Sequence, residues 1–342
     1  MTAERVLTQR ELNRALLARQ LLLERVKLPI PRAIERVGCV QNQYAPNGYI
    51  RLWSCLDEFR REQLTRALER RSIVQATLMR GTIHLVSKRE FWRYALGIRR
   101  ARREWWLRVR KVTDRQMQES ADRLRAALDE EPRSVKELGD LAKGFLGNVG
   151  LWVDLVRVPP SGTWEQRRAD LLALADDWVG QCRASEREGL EQLVRGYLRG
   201  FGPAPLGDVA SWAGIPVTSL RPVAERIELR RFRDEQGKEL LDLPRAPLPD
   251  PETPSPVRFL PTWDATLLVH ARRTQILSER YRSRIFHAKN PFSVGTFLVD
   301  GAVAGEWKYD EGRVRIKPYE RLARETRREV EEEAERLAAF HS

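Results

Sequence analysis

The sequence predicts an α+β fold, mainly α, in which tandem winged helix-turn-helix units are followed by a small C-terminal β-rich domain and a terminal helix. Three observations predict it. Residues 206–213 and 218–225 read as two short helices split by Gly214-Ile215-Pro216, and two strand-like runs then flank an Asp234-Glu235-Gln236-Gly237 tip. That is the order helix, turn, helix, hairpin. The same order recurs upstream with faint identity between copies, which suggests a tandem array. Finally, a formal net charge of +13 on 342 residues favours a partner with a phosphate backbone. Arg greatly outnumbers Lys, however, so the charge is also what a codon bias would leave.

Each element follows from local chemistry. Thr8-Gln9-Arg10-Glu11 has the form of a capping box. Leu12, Ala15, Leu16, Leu22 and Leu23 then recur at helical spacing. A second helix starts at Pro31, with Ile34 and Val37 inward. Pro46 and Asn47-Gly48 read as stopping any helix, so residues 41–48 are expected to be extended or turned. Residues 61–70 read as helix, and 73–74 and 82–86 as strands. Residues 92–110 make a helix with a very basic face. Trp105 and Trp106 on it can stack on bases or fill a core between domains. This first unit spans 1–112.

The second unit, 113–184, has helices at 114–128 and 135–141, the latter capped by Ser134. A strand is expected at 151–158 and a helix at 164–180. The third, 185–247, opens with a helix at 186–198 and ends in a wing made basic by Arg230, Arg231 and Arg233. Residues 248–342 hold a stiff proline-rich linker, a hairpin about Asp300-Gly301, a strand at 314–316 and a charged helix over 319–340.

Hydrophobic residues make up 42% and charged residues 32%, an ordinary globular balance. No apolar run reaches the ~18 residues of a membrane span, and the first residues lack a secretory pattern. Cys39, Cys55 and Cys182 read as reduced thiols, and His84, His270, His287 and His341 are scattered. Neither set has metal-ligand spacing. The expectation is a monomeric cytoplasmic, nucleoid-associated protein with no membrane partner, metal or cofactor.

Gln41 and Gln43 stand out as a site. On an extended chain, residues two apart face the same way, so the two carboxamides can present donors and acceptors to one small object, a water or a base edge. Two turn-capping glutamines would look the same. Gln41-Asn42-Gln43, the Met79-Arg80-Gly81-Thr82-Ile83-His84-Leu85 segment, the opening Ala15–Gln20 stretch and the late Arg258-Phe259-Leu260-Pro261-Thr262-Trp263-Asp264 run together resemble the AlkZ/YcaQ-type winged-helix DNA glycosylases over most of the chain. Much of that family is known only as winged-helix DNA-binding proteins. The glycosylase members carry Gln-x-Gln or Gln-x-Asp, which matches Gln41 and Gln43. Asn42 stands where the family usually has an aliphatic residue, and Arg272-Arg273 where it often has Asp-Arg.

The resemblance implies hydrolysis of the N-glycosidic bond of cationic N7-alkylated purines in duplex DNA, with Gln41 and Gln43 positioning the water. An N7-alkylated purine leaves without protonation, so two non-titrating carboxamides can serve where neutral glycosides need two carboxylates. Arg51, Arg80, His84, Arg99, Arg100, Arg102, Arg103, Arg230, Arg231, Arg233 and Asp264 are the candidate DNA contacts. The alternatives are a non-enzymatic winged-helix regulator or architectural protein, which needs the basic wings but neither glutamine, and a module that binds structured RNA by shape.

Overall fold

The computed structural model describes residues 4–142, 146–268, 271–286 and 293–342, so His270 and His287 lie outside the described residues. Strand β1 (Val6–Leu7) leads into α1 (Gln9–Arg19) through the expected capping box. The Glu11 N–H donates to the Thr8 hydroxyl, and the Thr8 N–H donates to the Glu11 carboxylate at 2.8 Å. Helix α2 (Ile30–Arg36) has Pro31 in its first turn and buries Ile34, with Val37 buried just beyond its end. After β2 (Val40–Gln41) comes a correction. Pro46-Asn47-Gly48 does not stop a helix; it lies in the first turn of α3 (Ala45–Cys55). Proline is tolerated there because the N–H it lacks would be unbonded anyway.

Next come α4 (Arg61–Glu69), β3 (Ile73–Thr77), β4 (Ile83–Ser87) and the 23-residue α5 (Lys88–Arg110). The chain continues through α6 (Asp114–Leu128), β5 (Arg133–Ser134), α7 (Val135–Leu141), α8 (Leu146–Val149) and β6 (Leu155–Arg157). The helix expected over 164–180 is absent. Residues 161–170 instead form a compact loop gathered on Ser161, whose hydroxyl accepts from the N–H of Asp170 (2.7 Å) and Leu171 (3.0 Å). The loop delivers Leu171–Leu174 as β7, and only α9 (Ala175–Val179) is helical.

Helices α10 (Glu186–Phe201), α11 (Leu206–Ala213) and α12 (Val217–Arg226) pack on one another and precede the hairpin of β8 (Arg230–Asp234) and β9 (Glu239–Asp242). This is the helix-turn-helix and wing order that the sequence predicts. The last part holds β10 (Arg258–Leu260), α13 (Glu279–Ile285), β11 (Gly295–Val299), β12 (Ala302–Asp310), β13 (Arg313–Pro318) and α14 (Arg324–His341). Asp300 and Gly301, with φ of 46° and 77°, make the β11–β12 turn.

Among the described residues the strands form three sheets. One has the order β2-β4-β3-β6-β7-β5, so strands on both sides of residue 113 share it. The others are β1-β8-β9, with β1 parallel to β8, and the antiparallel β10-β11-β12-β13. The main core joins α1, α5, α10, α11 and α12. A second core buries α3 and α4 against β10, β11 and α14. There Phe340 of α14 meets Trp53, Phe59 and Trp164 at ring separations of 6.0, 6.0 and 5.5 Å.

Glycine sets the closest approach. A Cβ added at Gly189 of α10 would sit 2.4 Å from the Gly97 nitrogen of α5, and one at Gly200 would sit 2.2 Å from the Val37 carbonyl oxygen. Any side chain at these points would push α10 away from α5 and from the segment that leads to Gln41.

Candidate active site

The path to Gln41 is held from both sides. The Gln20 carboxamide donates to the carbonyls of Val37 (3.1 Å) and Gly200 (2.6 Å). The chain then turns through Gly38 and Cys39, with φ of 85° and 104°. A positive φ at Cys39 is costly for an L side chain, and such strain collects at functional sites. Arg80 (φ 55°) and Trp263 (φ 60°) share it, and each adjoins a residue of the same site.

Gln41 is buried (8% exposed) on β2, directly opposite His84 on β4. Its carboxamide oxygen accepts from the Arg80 guanidinium, whose other arm donates to the Trp212 carbonyl at 2.6 Å. Burial holds Arg80 below the usual arginine pKa. Gln43 is exposed in the bend after β2, and its oxygen accepts from the Ile83 N–H at 3.1 Å. Both glutamines therefore lean on one segment, residues 80–83. Each oxygen keeps a second lone pair, and each amide its donors. Asn42 faces inward, and its oxygen accepts from the Gly48 N–H at 2.8 Å. It thus steadies the first turn of α3, a task an aliphatic residue could not perform.

Behind Gln41 lies a recess with room for about one water, lined by Gln20, Cys39, Gln41, Arg51 and Asp264 among others. Arg51 was a candidate DNA contact, but it is 3% exposed. Its Nε lies 3.1 Å from Asp264, and its Nη2 donates to the Gln20 backbone and side-chain oxygens at 2.8 Å. Asp264 also accepts from the Thr266 N–H (2.9 Å) and hydroxyl (2.6 Å). Neither residue reaches the surface; they brace the recess. Arg273 clamps the Asp264 turn, donating to the carbonyls of Ala265 and Thr266 and to the Tyr197 hydroxyl at 2.9 Å. Gln20 went unrecognised because its Gly200 partner lies 180 residues away; its place at the end of the family-like opening stretch was the available signal, and for Arg273 it was the Arg272-Arg273 pair at the family's Asp-Arg position.

His84, also a candidate contact, is fully enclosed. Its Nδ1 donates to the Thr82 carbonyl at 2.9 Å, leaving the Nε2 lone pair buried without a partner among the described residues. Burial pushes its pKa down to about 3 from 6.5. The folded chain then binds fewer protons than the unfolded chain between these values, so His84 contributes stability above pH ~6.5 that is lost as pH falls toward 3. Urea unfolding at pH 7 and pH 5 should show a smaller acid loss in His84→Gln than in wild type. Equal losses would mean that His84 is not buried neutral.

Most of the other arginines are already paired. Arg99 pairs with Asp154, Arg100 with Glu186 at 3.0 Å, and Arg103 donates to the Leu151 carbonyl at 2.7 Å while lying over Trp152. In the wing, Arg230 meets Asp242 at 2.6 Å, Arg231 meets Glu239 and Arg233 meets Glu4 at 3.1 Å. Five of these arginines thus face an acid, while Arg103 is held by a carbonyl and a ring. Arg102 differs. No carboxylate pairs with it among the described residues, and its guanidinium lies between Gly81 and Gly214, where an added Cβ would come within 3.1 Å of it. No group of His, Cys, Asp and Glu that could hold a metal occurs among the described residues, and no helix there is long and apolar enough to cross a membrane.

A family model described as DNA glycosylase AlkZ-like matches residues 34–340. Among solved structures, a Streptomyces sahachiroi DNA glycosylase, AlkZ, superposes with a TM-score of 0.81 at 20% identity, covering 98% of this chain and 97% of that one. No curated protein matches the sequence.

Proposed function

The chain belongs to the AlkZ-like DNA glycosylase family, and on that premise we propose that it hydrolyses the N-glycosidic bond of cationic N7-alkylated purines in double-stranded DNA, using a water positioned by Gln41 and Gln43. It is a DNA glycosylase, a hydrolase whose substrate is DNA.

The observation that carries the finer reading is the recess of one-water size beside the Gln41 carboxamide, lined by the Arg51–Asp264 pair; it supports Gln41 directly, and Gln43 only through the 80–83 segment that both glutamines contact. An alkylated purine departs as a neutral base, so the enzyme's work is to place water and to stabilise a cationic sugar. Arg80 holds Gln41 and the Ile83 amide holds Gln43. The carboxamides are therefore oriented before substrate arrives, which is what makes a dipole effective in a transition state. Arg80 and Arg102 sit at the same turn with no carboxylate partner among the described residues, and are suited to phosphates flanking the lesion. The paired arginines on the surface, Arg100, Arg231 and Arg233, contribute little through those pairs and can exchange carboxylate for phosphate.

The direct test is release of N7-methylguanine from methylated duplex DNA. Excision should persist in EDTA; loss restored by zinc or magnesium would reveal a metal site. Duplex binding should weaken steeply with salt, and Arg102→Gln should flatten the log–log slope by about one. An unchanged slope would remove Arg102 from the interface.

One observation favours a second reading, a DNA-binding protein in which the glutamines are structural. The Gln43 oxygen already has a backbone partner in Ile83. Failure to release base, with duplex affinity intact, would select that reading.

A further inference from the structure

A cleft of about 310 Å³ opens between the β3–β4 turn and the segment around β6. It is not the Gln41 site. In the shared sheet Gln41 lies opposite His84 and His84 opposite Ala76, whereas Arg157 lies opposite Gln75. Neighbouring residues of a strand face opposite sides, so the Arg157 wall of the cleft faces away from Gln41, while Arg102 closes it from the β3–β4 turn.

Its lining combines two features. Leu78, Leu151 and Leu172 give apolar walls, and Arg102 and Arg157 give two guanidiniums. Neither arginine has a carboxylate within ion-pair distance among the described residues, and the Arg157 Nε is buried with no partner. The neighbouring acid, Asp154, is taken by Arg99. Next to Arg102, Trp105 is 43% exposed, its ring 5.5 Å from the guanidinium. Half-buried guanidiniums without acids suit an anion, and apolar walls near an open indole suit a flat ring.

We propose that this cleft is a nucleotide site, taking one unpaired nucleotide of a DNA strand with its phosphate on Arg102 and Arg157 and its base against the apolar wall. The site goes beyond the glutamine reading and shares only Arg102 with it.

Equilibrium dialysis of the full chain against deoxyadenosine monophosphate, deoxyadenosine and inorganic phosphate tests it. The monophosphate should bind saturably and more tightly than either fragment, and a short thymidylate strand should displace it. Arg102→Met and Arg157→Met should each weaken binding by roughly tenfold or more. Thr77→Trp, at an exposed cleft position, keeps both charges and should block binding by filling the space. Gln41→Ala should bind as wild type even if it loses excision, which separates this site from the proposed chemistry. Monophosphate binding no tighter than phosphate, no displacement by the strand, or wild-type binding in a well-folded Thr77→Trp would overturn the proposal.

Discussion

Gln43→Ala should lower single-turnover excision of N7-methylguanine by about 100-fold, the scale of losing one preorganised polar contact to a transition state, with duplex affinity and melting temperature close to wild type. Gln43 is the cleaner of the two glutamines to test. It is exposed, so the Ile83 N–H that it releases can turn to water. Gln41→Ala should cost as much in rate but also unsettle the fold. Its oxygen is the acceptor for a buried arm of Arg80, and stranding that donor costs about 1–3 kcal/mol. Rates for Gln41→Ala must therefore be read well below its own melting temperature. If the pair holds one water as a unit, the double variant should be little slower than the poorer single. Wild-type rates in folded Gln43→Ala and Gln41→Ala would leave water placement to other groups.

Asp264→Ala should destabilise the protein by about 3–5 kcal/mol, because it leaves Arg51 charged and buried without its counter-ion. The Arg51 side chain is 4% exposed and that of Asp264 3%, so bulk water cannot replace the lost partner. The loss should spread to the site, since Arg51 also holds Gln20, and Gln20 holds the Val37 carbonyl ahead of Gln41. Arg51→Met combined with Asp264→Leu should recover much of the stability, as apolar replacement of a whole buried pair is often neutral. Urea unfolding measures both. A loss below ~1 kcal/mol in Asp264→Ala, the range of surface pairs, would mean that the pair is solvated.

What could be read from the sequence was local. The Thr8–Glu11 box, the Ser134 cap, the Asp300-Gly301 turn and the α11–α12 break at Gly214 each depend on residues within a few positions. The misreadings turned on context. The apolar run Leu171–Leu174 is equally suited to helix and strand, and β5 and β6 on either side decide it. Pro46 was read as a breaker because Asn42, four residues earlier, was not seen as bracing the helix it opens. Charge misled most. Arg99 finds Asp154 and Arg51 finds Asp264, 55 and 213 positions on, so a basic stretch in sequence need not be a basic surface in space. The glutamine pair was visible, but the recess behind Gln41 depends on Gln20 and Asp264, drawn from the two ends of the chain.

The cover that α14 provides for α3 and α4 has a consequence in time. Trp53 of α3 and Phe59 of the α3–α4 connection leave the ribosome early, yet Phe340 and Leu337, which close over that core, follow some 280 residues later. At about 5–20 residues per second, the nascent chain exposes that aromatic surface for roughly 15–60 s. During that interval the first helices bury only part of their apolar area, and a trigger-type holdase or rapid dilution governs yield more than the stability of the finished fold. Slowing translation after residue 85 should therefore raise the aggregated fraction, whereas slowing it before residue 45 should not.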